Sequence, residues 1–76
     1  MTTEHKLYDK ILIEERYICY YLNGKFHRIG GPAIINYYND GTLYGEYYYL
    51  NGTLHRIDGP AVICYDQDGT LSSESY

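Results

Sequence analysis

Short stretches of β-branched and aromatic residues alternate with turn residues along the chain. The apolar run at residues 16–22 ends at Asn23-Gly24, a pair that favours a tight hairpin because both residues accept a positive φ. Further strands are predicted at residues 25–29, 33–38 and 42–50, with Gly30-Gly31-Pro32 and Asn39-Asp40-Gly41 between them. The pattern therefore predicts strands joined by turns, with little or no helix.

This pattern of strands and turns occurs twice in the sequence. Residues 20–47 match residues 48–75 at 18 of 28 positions without a gap. A fixed period of this length indicates one supersecondary unit stacked on a copy of itself. The chain is therefore predicted to be one all-β domain, an antiparallel meander of about six strands. It would contain a partial repeat at 7–19, repeat one at 20–47 and repeat two at 48–76.

The partial repeat is aligned with the end of repeat one through Asp9, Leu12 and Glu15, which match Asp40, Leu43 and Glu46. The polar residues Met1 to Lys6 are predicted to be a frayed terminus.

Side chains alternate across a strand, so the two copies can be compared one face at a time. One face is identical in both copies and is therefore predicted to be the core. Its members are Ala33, Ile35 and Tyr37, with Ala61, Ile63 and Tyr65 in the second copy. Gly45 interrupts a long predicted strand, which indicates a bulge or a close approach of another group.

The net charge of -4 is unevenly distributed. Residues 1–56 hold equal numbers of acidic and basic side chains, and the excess comes from Asp58, Asp66, Asp68 and Glu74. An acidic end argues against direct binding of nucleic acid, which requires a basic surface.

Cys19 and Cys64 occupy unrelated repeat positions, so they are predicted to be reduced, small apolar residues and not a zinc site. No metal or cofactor is predicted. Residues 1–10 are polar, which argues against a signal peptide, and no apolar run is long enough to cross a membrane. A soluble cytoplasmic protein is expected.

The pattern YxLNGxxHRxxGPAxxxYxxDG resembles a repeat with an LNG..HR.DGPA core that recurs in proteins of tailed phages, giant viruses and some bacteria. It is similar to the MORN (membrane occupation and recognition nexus) repeat, a β-hairpin unit rich in Gly and Tyr, although its period is longer. The resemblance covers residues 17–76. It implies a small elongated repeat sheet of viral origin that is used for binding and not for catalysis.

Two interpretations remain open for His27-Arg28 and the equivalent pair His55-Arg56. As ligand-binding residues they would hold phosphate groups, because guanidinium groups match phosphate oxygens. As structural residues they would close each repeat, with His bonded to a carbonyl and Arg paired with a nearby carboxylate.

No nucleophile accompanies the histidines, so an enzyme is not predicted. The segment from Asp66 to Gly69 is predicted to be a turn, because a calcium loop in that frame would need carboxylates where Cys64 and Ser75 stand.

Tyrosine is the better indicator of function. The chain has twelve Tyr and no Trp, and three tyrosines in a row at residues 47–49 would place rings on both faces of the sheet. The rings either pack on each other as a core or remain exposed for a partner, where Tyr is enriched at binding hot spots.

The leading hypothesis is a non-enzymatic protein-binding module, namely a viral or phage inhibitor of a host defence protein such as an anti-CRISPR. It would act in the host cytoplasm on a nuclease complex. The predicted protein-binding residues are Tyr38, Tyr44, Tyr47, Tyr48, Tyr49, Asp66, Asp68 and Glu74. The alternatives are a phosphate- or nucleotide-binding module using the His-Arg pairs, and a structural protein that self-assembles, with a homodimer as its simplest form.

Overall fold

The computed structural model describes residues 7–76, and the frayed terminus expected at Met1 to Lys6 lies outside them. The described chain is all β, without helix. Its strands are β1 (Lys10–Ile13), β2 (Tyr17–Leu22), β3 (Lys25–Phe26), β4 (Ile34–Tyr37), β5 (Leu43–Tyr47), β6 (Tyr49–Leu50), β7 (Thr53–Leu54), β8 (Val62–Tyr65) and β9 (Leu71–Ser75).

Six strands form one antiparallel sheet in the order β1-β2-β4-β5-β8-β9, with β3 attached to the end of β2. The short strands β6 and β7 form a separate hairpin. The predicted antiparallel meander of about six strands is confirmed. The molecule measures 49 × 27 × 15 Å. Because two packed sheets lie about 10 Å apart before their outer side chains are added, the 15 Å dimension corresponds to a single layer.

Two predicted strands were too long. The one at residues 42–50 is divided at Tyr48, where the backbone changes partners. Tyr48 N donates to Ala61 O at 2.8 Å, whereas Tyr49 O accepts from Arg28 N at 3.3 Å. The one at residues 25–29 ends at Phe26, because the chain then turns into the corner that leads to Pro32.

The alignment of the partial repeat was wrong in register. Leu12 pairs with Cys19 in the way that Ile34 pairs with Tyr47. β1 therefore occupies the place of β4, whereas the sequence alignment had matched Leu12 to Leu43 in β5. The error arose because the alignment depended on three single-residue matches, and so few matches can be found in more than one register.

The predicted core is present only at its two alanines. Ala33 is fully buried and Ala61 is 8% exposed, and with Cys19 they are the only buried hydrophobic residues in the described chain. Ile35 and Ile34 point to opposite faces of β4, and both are half-buried. A single layer has no second surface to cover either face, so neither face is a core.

The turns follow the sequence prediction. Asn23 and Asn51 have φ values of 51° and 50°, and the glycine after each also has a positive φ. Gly45 lies at a β-bulge, and a Cβ added there would be 3.2 Å from the Tyr47 ring. The close approach expected at Gly45 is therefore present.

Asp40 and Asp68 organise equivalent turns in the two repeats. Asp40 Oδ1 accepts hydrogen bonds from Thr42 N at 3.0 Å and Thr42 Oγ1 at 2.7 Å. Asp68 Oδ1 accepts the same pair from Thr70, at 3.0 and 2.6 Å. The threonine hydroxyl and amide bonds lower the pKa of both carboxyl groups below the usual 3.8.

These shifts predict an acid-dependent loss of stability. A lowered folded-state pKa means that the stabilisation is complete above the unfolded pKa and is lost as the pH falls through the folded pKa. Thr42→Val should raise the pKa of Asp40 and leave that of Asp68 unchanged. Carboxyl-carbon NMR titration of both proteins measures this, with Asp68 as the internal control. An unchanged Asp40 titration would show that the hydroxyl bond is not the cause.

Candidate functional site

The two His-Arg pairs form equivalent corners. The Arg28 guanidinium carbon lies 4.0 Å from the centroid of the Tyr20 ring, and Arg28 Nη1 donates to Pro32 O at 3.3 Å. In repeat two, Arg56 lies 4.0 Å from the Tyr48 ring centroid. Its Nη1 donates to Pro60 O at 3.2 Å. Each arginine thus connects the first tyrosine of its repeat to the proline four residues after the arginine.

A glycine lies against each guanidinium, where a Cβ would displace the guanidinium from its place. A Cβ built on Gly31 would lie 2.9 Å from Arg28 Cζ, and one built on Gly59 would lie 2.8 Å from Arg56 Cζ. Both distances are shorter than real Cβ contacts. The Gly-Pro step of the repeated motif is therefore explained by packing, since Gly makes room for the guanidinium and the Pro carbonyl accepts its hydrogen bond.

The two histidines differ although their sequence contexts match. His27 is 5% exposed, and its Nδ1 accepts a hydrogen bond from Asn51 N at 2.9 Å. Because Nδ1 is the acceptor, the proton lies on Nε2, which is buried and unpaired within residues 7–76. His55 is exposed, and it makes no side-chain hydrogen bond to any described residue. His27 joins the two repeats, whereas the His55 ring contacts no hairpin tip among the described residues.

An open groove of about 780 Å³ lies between the two corners. It brings together the four residues predicted to bind a ligand in the alternative interpretation, His27, Arg28, His55 and Arg56. Arg56 Nε is 4.0 Å from Asp58 Oδ1, whereas Gly30 stands at the matching place beside Arg28. Both guanidinium groups already contact a tyrosine ring and a carbonyl, so the contacts of the arginines are primarily structural.

A second surface gathers tyrosines on one face of the sheet. Residues paired across strands share a face, and the register places Tyr17 and Tyr47 on the same side. Tyr38 and Tyr44 pack edge to face with ring centroids 5.1 Å apart. Tyr17 and Tyr44 are each 40% exposed. We call Tyr17, Tyr38, Tyr44 and Tyr47 the tyrosine face.

Sequence reasoning missed Tyr17. The available signal was its spacing from Cys19, because residues two apart on a strand lie on one face. Without the β2–β4 register, however, nothing in the sequence related Tyr17 to Tyr44.

Three residues predicted to lie with these tyrosines are elsewhere. Tyr48 lies beneath Arg56, and the Tyr49 ring packs against Phe26 with centroids 5.3 Å apart. Glu74 pairs with Ile63, and paired residues share a face. Ile63 points to the face opposite to that of its neighbour Val62, which pairs with Tyr47. Glu74 is therefore on the opposite face.

Asp66 and Asp68 remain at one end of the tyrosine face, in an exposed turn. Burial raises the pKa of the Tyr38 hydroxyl, and the negative charge of Asp66 raises it further. Tyr38 donates to Tyr65 O at 2.7 Å, a bond that links the repeats. Burial also raises the pKa of Tyr47. Both hydroxyls are therefore neutral at pH 7.

Residues 7–76 offer little for thiol chemistry or metal binding. Cys19 and Cys64 are free thiols, and burial raises the pKa of Cys19, which lowers its reactivity. Among residues 7–76 no group of three His, Cys, Asp or Glu side chains could hold a metal ion. The same residues contain no helix long and apolar enough to cross a membrane.

Comparison with known proteins finds no matching family model, no matching curated protein and no matching solved structure.

Removing either arginine should destabilise the fold. Arg28→Ala or Arg56→Ala removes a cation–π contact and a hydrogen bond, and the expected loss is about 1 to 2 kcal/mol of unfolding free energy each. Urea denaturation measures it. Lys25→Ala, which removes an exposed cation, is the control and should change little. If both arginine variants were as stable as Lys25→Ala, the structural role of the arginines would be contradicted.

The histidines give a matched pair of variants. His27→Ala leaves Asn51 N without its partner and should cost about 1 to 3 kcal/mol. His55→Ala removes an exposed side chain without a hydrogen bond and should leave the melting temperature unchanged. Thermal unfolding of the two variants tests this, and equal losses would refute the assignment of His27 as the link between repeats.

Proposed function

We propose that this chain is a non-enzymatic protein-binding module that binds its partner through the tyrosine face. The observation that supports the proposal is the exposure of large aromatic rings on a sheet that has no second layer. Tyr17 and Tyr44 each leave 40% of their surface in solvent. Tyrosine side chains supply large contact areas at low entropic cost and are common at the centres of protein interfaces.

The arrangement of the rings favours a preformed surface. Tyr38 and Tyr44 hold each other edge to face, and the Tyr38 hydroxyl is fixed by its bond to Tyr65 O. The Tyr47 ring lies against Gly45, which has no side chain to displace it. Side chains already held in place lose little conformational freedom on binding, so more of the contact energy appears as affinity.

The partner surface is proposed to be basic. The turns beside Tyr38 carry Asp40, Asp66 and Asp68, all exposed, and the chain has a net charge of -4. Arg16 lies at the same end, where Nη1 donates to Asn39 Oδ1. An acidic rim around an aromatic centre complements a cationic surface and increases the association rate at low salt. Glu74 lies on the other face and does not contribute.

In its concrete form, the module is a viral or phage inhibitor of a host defence nuclease, such as an anti-CRISPR, and acts in the host cytoplasm. The resemblance of the LNG..HR.DGPA pattern to phage and viral repeats supports the origin. A nucleic-acid channel is the basic surface that an acidic aromatic ligand fits, and covering it would block the nuclease.

The test is a nuclease inhibition assay with purified CRISPR effector complexes. The native chain should inhibit one of them at micromolar concentration, and Tyr44→Ala should weaken inhibition at least about tenfold, since truncated aromatic hot spots cost about 2 kcal/mol or more. Tyr76→Ala is the matched control, because Tyr76 is 89% exposed and lies outside the tyrosine face.

Two results would overturn the proposal. One is full activity of every complex in the presence of the native chain. The other is equal inhibition by Tyr44→Ala and the native chain, which would remove the tyrosine face from any inhibitory contact.

A further inference from the structure

The two repeats meet through the pairing of β5 with β8 and also through a hairpin tip seated on a strand edge. The tip of repeat two makes three bonds to repeat one. Arg28 N donates to Tyr49 O at 3.3 Å, Asn51 N donates to His27 Nδ1 at 2.9 Å, and Gly52 N donates to Phe26 O at 2.8 Å. Phe26, His27 and Arg28 thus form an edge, with two acceptors and one donor, that binds an Asn-Gly turn.

Repeat two presents the same edge to solvent. The equivalent residues are Leu54, His55 and Arg56, twenty-eight positions later in the chain. No described residue bonds to Leu54 O, the His55 ring or Arg56 N. Leu54 is 45% exposed, and the neighbouring Ile57 is 88% exposed. We call Leu54, His55 and Arg56 the open edge.

The hairpin tips of this chain are already occupied. Tip two is seated on repeat one. Tip one is covered by Asp9, whose carboxylate accepts from Asn23 N at 3.1 Å and whose amide donates to Tyr21 O at 2.8 Å. Asp9 thus replaces both the histidine ring and the arginine amide of the internal interface. A second copy of the chain therefore has no free tip among its described residues to place on the open edge.

We propose that the open edge binds a β-hairpin tip of another protein, with a two-residue Asn-Gly turn that follows an apolar strand. The internal interface specifies this chemistry. The tip must offer two successive backbone N–H groups, one to the His55 ring and one to Leu54 O, and a carbonyl to Arg56 N. A glycine at the second turn position fits the backbone seen internally, where Gly52 has a φ of 82°.

This binding site is separate from the tyrosine face. The open edge consists of the end of β7 and the two residues after it, whereas the tyrosine face lies on β2, β5 and the residue that follows β4. The two surfaces can therefore be tested with different variants of the full chain.

The probe is a cyclic peptide with the sequence of residues 48–55, closed at its far end by D-Pro-Gly so that it holds a hairpin. Titrated into the isotope-labelled full chain, it should shift the amide signals of Leu54, His55 and Arg56 in a saturable way. His55→Ala should bind the peptide about tenfold more weakly, since one hydrogen bond is worth about one decade in affinity. The His55 side chain makes no hydrogen bond to a described residue, so the substitution should preserve folding.

A matched peptide removes the donor and keeps the hairpin. Replacing Asn-Gly at the tip by D-Pro-Gly retains a hairpin turn and deletes the N–H that would reach His55. It should also bind about tenfold more weakly. Tyr44→Ala should bind the original peptide normally, which separates this result from that of the inhibition assay.

The proposal is overturned if the peptide causes no saturable shifts at millimolar concentration, or if both peptides bind with equal affinity. It is also overturned if the chain self-associates on light scattering and His55→Ala abolishes that association, because the occupant would then be a second copy.

Discussion

The absence of a second layer is the constraint on which the rest of this structure depends. A β-sheet is stable in water when one face is covered, and here one twisted sheet 15 Å thick has only its own side chains to cover both faces. Burial is correspondingly shallow, and only Cys19, Ala33 and Ala61 are buried hydrophobic residues in the described chain. Stability must therefore come from contacts that a single layer can make.

The repeated corner supplies such contacts. Arg28 and Arg56 each lie on a tyrosine ring, bond to a proline carbonyl and pack against a glycine. These contacts use the aliphatic and planar parts of arginine and leave its charge near water, so burial costs little. His27 then joins the first corner to the next hairpin. The corner and the hairpin tip together take the role that a hydrophobic core has in a thicker domain.

The same constraint creates the two surfaces proposed for binding. Tyrosines that would be core residues beneath a second sheet remain exposed on the tyrosine face. The edge of Leu54, His55 and Arg56, equivalent to the edge of repeat one that hairpin β6–β7 covers, remains open among the described residues. A thin repeat sheet thus has two kinds of unsatisfied surface, one aromatic and one made of backbone groups, and they suit different partner chemistries.

The sequence alone determined the all-β class, the positions of the Asn-Gly turns and the close approach at Gly45, because these depend on local backbone preference and on alternation along a strand. It also placed the His-Arg pairs together, since residues that recur in each repeat recur at one place in the unit. Only the tertiary structure separated His27 from His55, because residues with matching neighbours in sequence have different neighbours in space: His27 accepts from Asn51 N, and His55 is exposed. It also decided which tyrosines share a face. Tyr17 joined Tyr44 while Tyr48 and Glu74 left the set, since the face of a residue depends on strand register and on where a strand ends. The exposure of both faces was likewise decided by the whole molecule, because no local pattern states whether a second layer exists.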